Sequence, residues 1–329
     1  MIEKWLPELL IAFLVSLGGT YLLKNWFNKI KFQQLVIRNS EKGPDHQAKA
    51  GTPTMGGAGF ILTTTILFVI KQIFFGSMNP TSWAILLAIL LYALVGGFDD
   101  SVKIFEKRDE GFRFLPKLFA EILAALVAFS LLLLGNFDFV LHLGFVNIQN
   151  VVIFGLFTII WLVGWSNSVN FSDGLDGLAT GLTVIAYGAY LIVALKQGNY
   201  DVVALNALVI GALLGFFVWN QNPAKIFMGD TGSLALGAGL AMNSLVLNIE
   251  WSLLIIGLVF MLETLSVMIQ VGTYHFFKKR VFLMAPIHHA FEKGGWRMDP
   301  KHPWNEWQVD TLFWAVGLLA AILYLVIWL

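Results

Sequence analysis

Four groups of chemically capable residues interrupt a chain that is otherwise strongly apolar: Asp99-Asp100, Asn170-Phe171-Ser172-Asp173-Gly174-Leu175-Asp176-Gly177, Met228-Gly229-Asp230-Thr231-Gly232-Ser233 and Pro286-Ile287-His288-His289. Carboxylates gathered at one edge of apolar segments suit a divalent cation, because hard cations take oxygen ligands, and a phosphorylated ligand that the cation bridges. Asp173 and Asp176 stand three apart, a spacing that lets both carboxylates face one site. Gly174 and Gly177 let backbone approach a ligand, and Asn, Ser and two Asp together exceed what one helix cap needs. Gly229 to Ser233 opens an apolar run, where the free N–H groups and positive end of a helix favour an anion. Asp99 and Asp100 close another run. Adjacent carboxylates at the negative end of a helix are unfavourable unless Mg2+ or a neighbouring Lys103 offsets them.

Lys49-Ala50-Gly51-Thr52-Pro53-Thr54-Met55-Gly56-Gly57 precedes a further run. Lys49 and the hydroxyls of Thr52 and Thr54 could meet phosphate oxygens, although the Gly-Lys-Ser/Thr of a P-loop is missing. Glu263 and Gln270, seven apart, share one helical face, and a Glu within an apolar helix is a functional candidate as well as a candidate interhelix hydrogen bonder. His288 and His289 could bind phosphate or metal or transfer a proton. His46, His142, His275 and His302 join no constellation. Each motif alone also reads as a cap, a turn or a solvated pair; their joint occurrence favours chemistry.

The elements that must position these residues are membrane spans. Of 329 residues, 57% are hydrophobic and 13% charged, against roughly 25% charged in a soluble domain. That composition excludes a soluble globule, whose core could not enclose so much apolar surface. The formal net charge of zero removes a bulk electrostatic case for nucleic acid, and the absence of cysteine excludes disulfides and thiolate metal sites. Ten apolar runs of spanning length fall at 5–24, 56–75, 81–98, 117–134, 151–169, 177–195, 202–219, 232–249, 252–275 and 311–329. The first reads as a retained span, since no small-x-small cleavage site separates it from the basic loop that follows. Eighteen Lys and Arg lie in the loops on one side and three, Lys4, Lys71 and Lys196, on the other. The positive-inside rule then puts the first set in the cytoplasm and both termini outside, so every acidic cluster faces the cytoplasm. Phe137 to Leu143 and Phe145 to Ile148, flanking Gly144, predict a small external β-hairpin. No repeat or detachable soluble domain interrupts the chain, and residues 1–329 read as a single all-α polytopic membrane domain.

Taken together and in order, Gly51 to Gly57, Asp99-Asp100, Asn167 to Leu178, Phe227 to Ser233 and Pro286 to His289 resemble the motifs of the bacterial phospho-N-acetylmuramoyl-pentapeptide transferases, within the larger group of polyprenyl-phosphate N-acetylhexosamine-1-phosphate transferases. The resemblance implies ten transmembrane helices in the bacterial cytoplasmic membrane, external termini, a homodimer, Mg2+ dependence, and transfer of phospho-MurNAc-pentapeptide from its UDP carrier to undecaprenyl phosphate, giving lipid I and UMP. By motif position it implies Asp99 as a base or phosphate-orienting residue, with Asp100 and Asp173 as acidic partners. Asp230 corresponds to the Mg2+ ligand, with Asp173 a second candidate, and His288 and His289 join the catalytic set. Lys49, Thr54, Asn170, Gly174, Leu175, Asp176, Phe227 and Gln270 match substrate-binding positions, and Lys117 matches a lysine lining the site. Phe227 is expected to stack on uracil, with Asp176 and Gln270 in polar contact. The family commonly has three consecutive histidines where this chain has His288-His289-Ala290.

The attacking group would be an already anionic lipid phosphate, so the protein mainly has to bring two polyanions together and stabilise charge on departing UMP. Direct attack is favoured over a covalent aspartyl intermediate, which is not needed to supply a nucleophile. Two other readings compete: a polyprenyl-phosphate GlcNAc-1-phosphate transferase, and a secondary transporter. A transporter places its polar residues near the midplane on broken helices, whereas these aspartates cluster at one edge.

Overall fold

The computed structural model describes residues 5–33, 49, 51–75, 79–106, 111–144 and 146–328. Lys4, Arg38, Lys42, His46, Ala50, Lys107, Arg108 and Phe145, which enter the readings above, lie outside the described residues. The described chain is mostly helical. Its first helices are α1 (Leu6–Lys29), α2 (Gly57–Phe75), α3 (Pro80–Phe105) and α4 (Phe114–Leu133). After a two-stranded sheet follow α5 (Val151–Ser172), α6 (Leu178–Gln197), α7 (Tyr200–Asn220) and α8 (Gly229–Val246), then α9 (Ser252–Ile256), α10 (Leu258–Phe277), α11 (Ile287–Gly294) and α12 (Glu306–Trp328). Eight of these, α1 to α7 and α12, are long and apolar enough to cross a membrane. Helices α8 and α10 lie where the sequence shows two further apolar runs.

The reason α8 is less apolar lies in its surroundings. Every residue from Thr231 to Val246 is buried, packed by α3, α5, α2 and α6, so this helix faces protein on all sides. Small residues permit that closeness: a Cβ on Gly96 of α3 would overlap the Asp230 carbonyl, and one on Gly57 of α2 would overlap the Gly232 backbone. Several polar groups inside the bundle pair across helices. Asn206 donates to Asn243 at 3.0 Å, the Trp161 indole to Ser244 at 2.9 Å, and the Tyr187 hydroxyl to the Leu236 carbonyl at 3.1 Å. The outer helices expose Leu14, Ile73, Leu126, Ile160, Met268 and Leu319, side chains a hydrocarbon solvent accepts.

Four details differ from the sequence reading. Helix α3 runs to Phe105 rather than stopping near 98, so Asp99 and Asp100 lie inside it, with Lys103 in its last turn. Helix α5 includes Asn170 and Ser172, and α6 starts behind Gly177 at φ 85° with no side-chain cap, so the 170–177 motif does not serve as a cap for α6. The run at 252–275 is two helices that meet at Gly257, whose φ of -93° and ψ of 20° depart from helical values and against which the Trp165 ring packs. Pro286-Ile287-His288-His289 opens a short helix, α11, which the sequence reading did not foresee.

The predicted hairpin is present. Strands β1 (Val140–His142) and β2 (Asn147–Gln149) pair antiparallel with Val140 opposite Gln149. Glu250, buried after α8, accepts the His142 N–H at 3.0 Å and so ties the hairpin to one end of the bundle. The ends of α3 and α5 and the starts of α4, α8 and α12 gather at the other.

Candidate active site

Two charged clusters occupy that second end. The first is built on α3, α4, α5 and α8. The Lys103 ammonium lies 2.7 Å from Asp99 Oδ2 and 3.0 Å from Asp230 Oδ1, and the Lys117 ammonium lies 2.7 Å from Asp230 Oδ2 and 3.6 Å from Asp99 Oδ1. Two lysines thus bridge two aspartates from different helices. Asn170 adds a third neighbour, donating to Asp230 Oδ1 at 3.0 Å and to the Ser233 hydroxyl at 2.8 Å. The second Asp99 oxygen also accepts the Phe112 N–H at 2.9 Å.

Asp100 does a different job. It accepts the N–H of Asp230 at 3.1 Å and, on its other oxygen, the N–H of Thr231 at 3.0 Å and the Thr231 hydroxyl at 2.7 Å. The anion expected at the start of α8 is therefore supplied by α3. It satisfies two helix N–H groups that have no partner within α8 and complements the positive end of the helix dipole. Thr54 lies beside it, its hydroxyl and the Asp100 carboxylate both against Gly229. The segment before α2 is held there by backbone bonds: Phe227 N–H to the Pro53 carbonyl at 2.8 Å, Gly56 N–H to Phe227 at 2.8 Å and Gly57 N–H to Met228 at 2.9 Å.

The second cluster centres on Lys49 and Asp176. The Lys49 ammonium sits 2.7 Å from Asp176 Oδ1 and 2.9 Å from Glu306 Oε2. Burial disfavours its charged form, but Asp176 and Glu306 outweigh that and raise its pKa. Asp176 Oδ2 accepts from Asn222 Nδ2 at 3.2 Å and from the Ala224 N–H at 2.8 Å. Asp173 stands between the clusters, half-buried, and makes no hydrogen bond with its carboxylate among the described residues. Burial, and after it the charges of Asp230, Asp100 and Asp176, push its pKa up to about 8, with Lys49 pulling the other way.

The histidines border this loop. His288 is fully buried with its Nδ1 3.2 Å from Glu263 Oε1, and its Nε2 lies against Gly174, where a Cβ would overlap it. His289 Nδ1 is 2.9 Å from Glu292 Oε2. Leu175 is buried and Phe227 half-buried. Gln270 is not brought to either cluster: its amide oxygen accepts the N–H groups of Val281 and Phe282 at 3.0 Å each, and its amide nitrogen donates to the Phe282 carbonyl at 3.1 Å.

Three residues of the site were not singled out as functional from sequence. Lys103 had a signal, since it stands four after Asp99 on one helix. Glu121 had one as well, as an acid inside the apolar run 117–134; Glu306 had none. Glu121, on α4 one turn past Lys117, is buried and accepts from Asn167 Nδ2 at 2.9 Å, leaving its other oxygen without a partner among the described residues.

Among the described residues no group of three or more His, Asp or Glu is arranged as a metal site. The donor chemistry of the first cluster nevertheless fits Mg2+, which dehydrates reluctantly and takes one or two carboxylates together with substrate phosphates. Two ammonium groups already compensate the Asp99 and Asp230 charges there.

The model of glycosyl transferase family 4 matches residues 82–248, from the start of α3 to just past α8. The chain is 48% identical over 300 residues to a phospho-N-acetylmuramoyl-pentapeptide-transferase of Leuconostoc mesenteroides, covering 90% of this chain and 91% of the relative. Proteins of the same description in Lactobacillus gasseri and Lactobacillus delbrueckii subsp. bulgaricus are 47% identical over 304 residues and 46% over 324, covering 92% of both chains and 97% and 98% respectively.

Proposed function

Because the chain belongs to the phospho-N-acetylmuramoyl-pentapeptide-transferase family, within glycosyl transferase family 4, we propose that the two charged clusters are the two halves of one active site. The chain is a membrane transferase that moves phospho-MurNAc-pentapeptide from UDP-MurNAc-pentapeptide to a polyprenyl phosphate, releasing UMP and forming lipid I for peptidoglycan. The observation that carries the reading is the bridging of Asp99 and Asp230 by Lys103 and Lys117 at the end of the bundle where all the sequence motifs meet.

Chemically, the reaction joins two polyanions, and cations held between fixed carboxylates lower the cost of their approach. Lys117 and Lys103 are placed to turn toward phosphate oxygens while Asp99 and Asp230 keep them charged and oriented. Mg2+, held through Asp230 with Asp173 as the second candidate, would neutralise charge on the diphosphate. Asp99 orients the attacking lipid phosphate, and Asp100 fixes the start of α8 and with it the direction of Asp230. Direct attack by the lipid phosphate on the sugar-bound phosphorus leaves UMP as the departing group, with no aspartyl ester required. Lys49, Asp176 and the 173–177 loop serve the nucleotide half, with the Phe227 ring stacking on uracil and Thr54, Asn170, Gly174 and Leu175 completing the binding surface; Gln270, bonded to Val281 and Phe282, is left out of it. His288 and His289, next to Gly174, are assigned to phosphate contact or proton transfer.

We place the site on the cytoplasmic face of the bacterial inner membrane, with ten spans, external termini and a homodimer. The positive-inside count and the chemistry of a nucleotide donor support that reading. A purified-protein assay of UMP release with UDP-MurNAc-pentapeptide and with UDP-GlcNAc, each with undecaprenyl phosphate, tests the donor. Turnover confined to the peptide-bearing donor is expected; preference for UDP-GlcNAc would move the chain to the GlcNAc-1-phosphate branch.

A further inference from the structure

We propose that Glu306, in the first turn of α12, is a positioning residue for the nucleotide half of the site, holding Lys49 and the 173–177 loop in one register. The inference rests on the functional reading above for what that half binds. One oxygen of Glu306, Oε2, accepts two bonds at once: from the Lys49 ammonium at 2.9 Å and from the backbone N–H of Asp176 at 2.9 Å. Glu306 and these two partners come from three distant stretches of chain. The Lys49 ammonium in turn meets Asp176 Oδ1, while Asp176 Oδ2 holds Asn222 and the N–H of Ala224, three residues before Phe227. A continuous set of charge-assisted bonds therefore runs from α12 through Lys49 and Asp176 to the segment that carries Phe227.

Glu306 is the only one of these groups that grips both the loop backbone and the lysine. Asp176 cannot bond its own N–H and orient Lys49 together, so without Glu306 the lysine keeps one carboxylate and the loop loses an acceptor. Glu306 is mostly buried, with its side chain 13% exposed, and so is Lys49 at 17%. Water therefore replaces the lost bonds poorly. A simpler role is open to an acid at this position, since any carboxylate in the first turn of a helix complements the dipole. The two roles make different demands on length. A dipole needs only the charge, whereas the paired bonds need the full reach of Glu.

The test compares Glu306→Gln and Glu306→Asp with the wild type by steady-state kinetics for each substrate and by UMP binding in calorimetry. Loss of one charge-assisted pair predicts that Glu306→Gln raises the donor KM and weakens UMP by about ten- to a hundredfold, with kcat and the KM for undecaprenyl phosphate within about threefold. Glu306→Asp is expected to shift donor KM and UMP affinity in the same direction. An Asp variant matching the wild type while Gln is impaired would leave only the dipole role and overturn the proposal. Equal losses for donor and acceptor with a lowered melting temperature would overturn it as well. If Glu306→Gln does not fold, Glu306→Asp carries the same readouts. Failure of the wild type to turn over UDP-MurNAc-pentapeptide would instead strike the functional reading, and the UMP-binding arm would still decide the role of Glu306.

Discussion

Replacing Asp100 by Asn separates a structural carboxylate from a chemical one. Asp100 is 3% exposed and accepts three bonds from the start of α8: two backbone N–H groups and the Thr231 hydroxyl. Asn keeps one acceptor oxygen, so at least one of these donors is left buried and unpaired, and the charge facing the helix dipole is lost. Each such loss is worth about 1–3 kcal/mol. Repulsion between Asp100 and Asp230 disappears in the same change and offsets part of it, giving a net loss of about 1–3 kcal/mol. At about 2 °C per kcal/mol for a domain of this size, the melting temperature in detergent should fall by about 2–6 °C. Turnover should fall too, because Asp230 sits on the turn that Asp100 fixes. Asp99→Asn is the contrast: its carboxylate meets Lys103, Lys117 and the Phe112 N–H, and its melting temperature should stay within about 2 °C while turnover collapses and donor binding holds within a few-fold. Paired scanning calorimetry and UMP-release assays decide the matter. If Asp100→Asn melts like the wild type yet loses turnover as Asp99→Asn does, the capping argument is wrong and Asp100 belongs to the chemistry.

Gly96→Ala should destabilise the fold by about 1–3 kcal/mol or more and lower activity, because its Cβ meets the Asp230 backbone, whereas Gly188→Ala, with nothing within 4 Å, should be neutral or stabilising by up to about 1 kcal/mol; equal melting temperatures for the two would contradict the close α3–α8 packing. Asp173, with a pKa raised from 3.8 to about 8, binds its proton more tightly folded than unfolded, so its contribution to stability is complete at low pH and is lost as pH rises through about 8. The metal-free protein should therefore melt lower at pH 8.5 than at pH 5.5, and Asp173→Asn should flatten that dependence; an unchanged pH profile in the variant would refute the shift. Phe227→Ala should weaken the UDP donor by about ten- to a hundredfold through lost stacking, and equal weakening of undecaprenyl phosphate would remove the stacking assignment.

Much of the site was legible because polar residues stand out against apolar runs. Asp99, Asp100, Asp173, Asp176 and Asp230 were all visible as glycine-flanked or paired acids, with Asn170 in the same motif, and the structure brings them to one end of the bundle. What each carboxylate does was not legible. Asp100 and Asp99 are neighbours in sequence, but the helical rotation between adjacent residues turns one toward α8 and the other toward Lys103. Glu306 could not be found, since its partners are 257 and 130 residues away and a lone acid at a helix start has an ordinary explanation. The end of α3 was misplaced because Asp99 and Asp100 read as the edge of an apolar run, while Lys103 compensates them and lets the helix continue. The low hydropathy of α8 stands in its own sequence, but the burial against protein rather than lipid that accommodates it is a property of its neighbours.

Direct transfer from the UDP donor to a polyprenyl phosphate at the Asp99, Asp230, Lys103 and Lys117 cluster makes UMP release depend on the lipid. It is tested most directly by mixing stoichiometric purified protein with UDP-MurNAc-pentapeptide and Mg2+, with and without undecaprenyl phosphate, in the wild type and in Asp230→Asn, and quantifying UMP and the lipid-linked product. Equimolar UMP and product are expected in the wild type only when the lipid is present, and neither in Asp230→Asn. A stoichiometric burst of UMP without lipid, or near-normal turnover by Asp230→Asn across a Mg2+ titration, would contradict it.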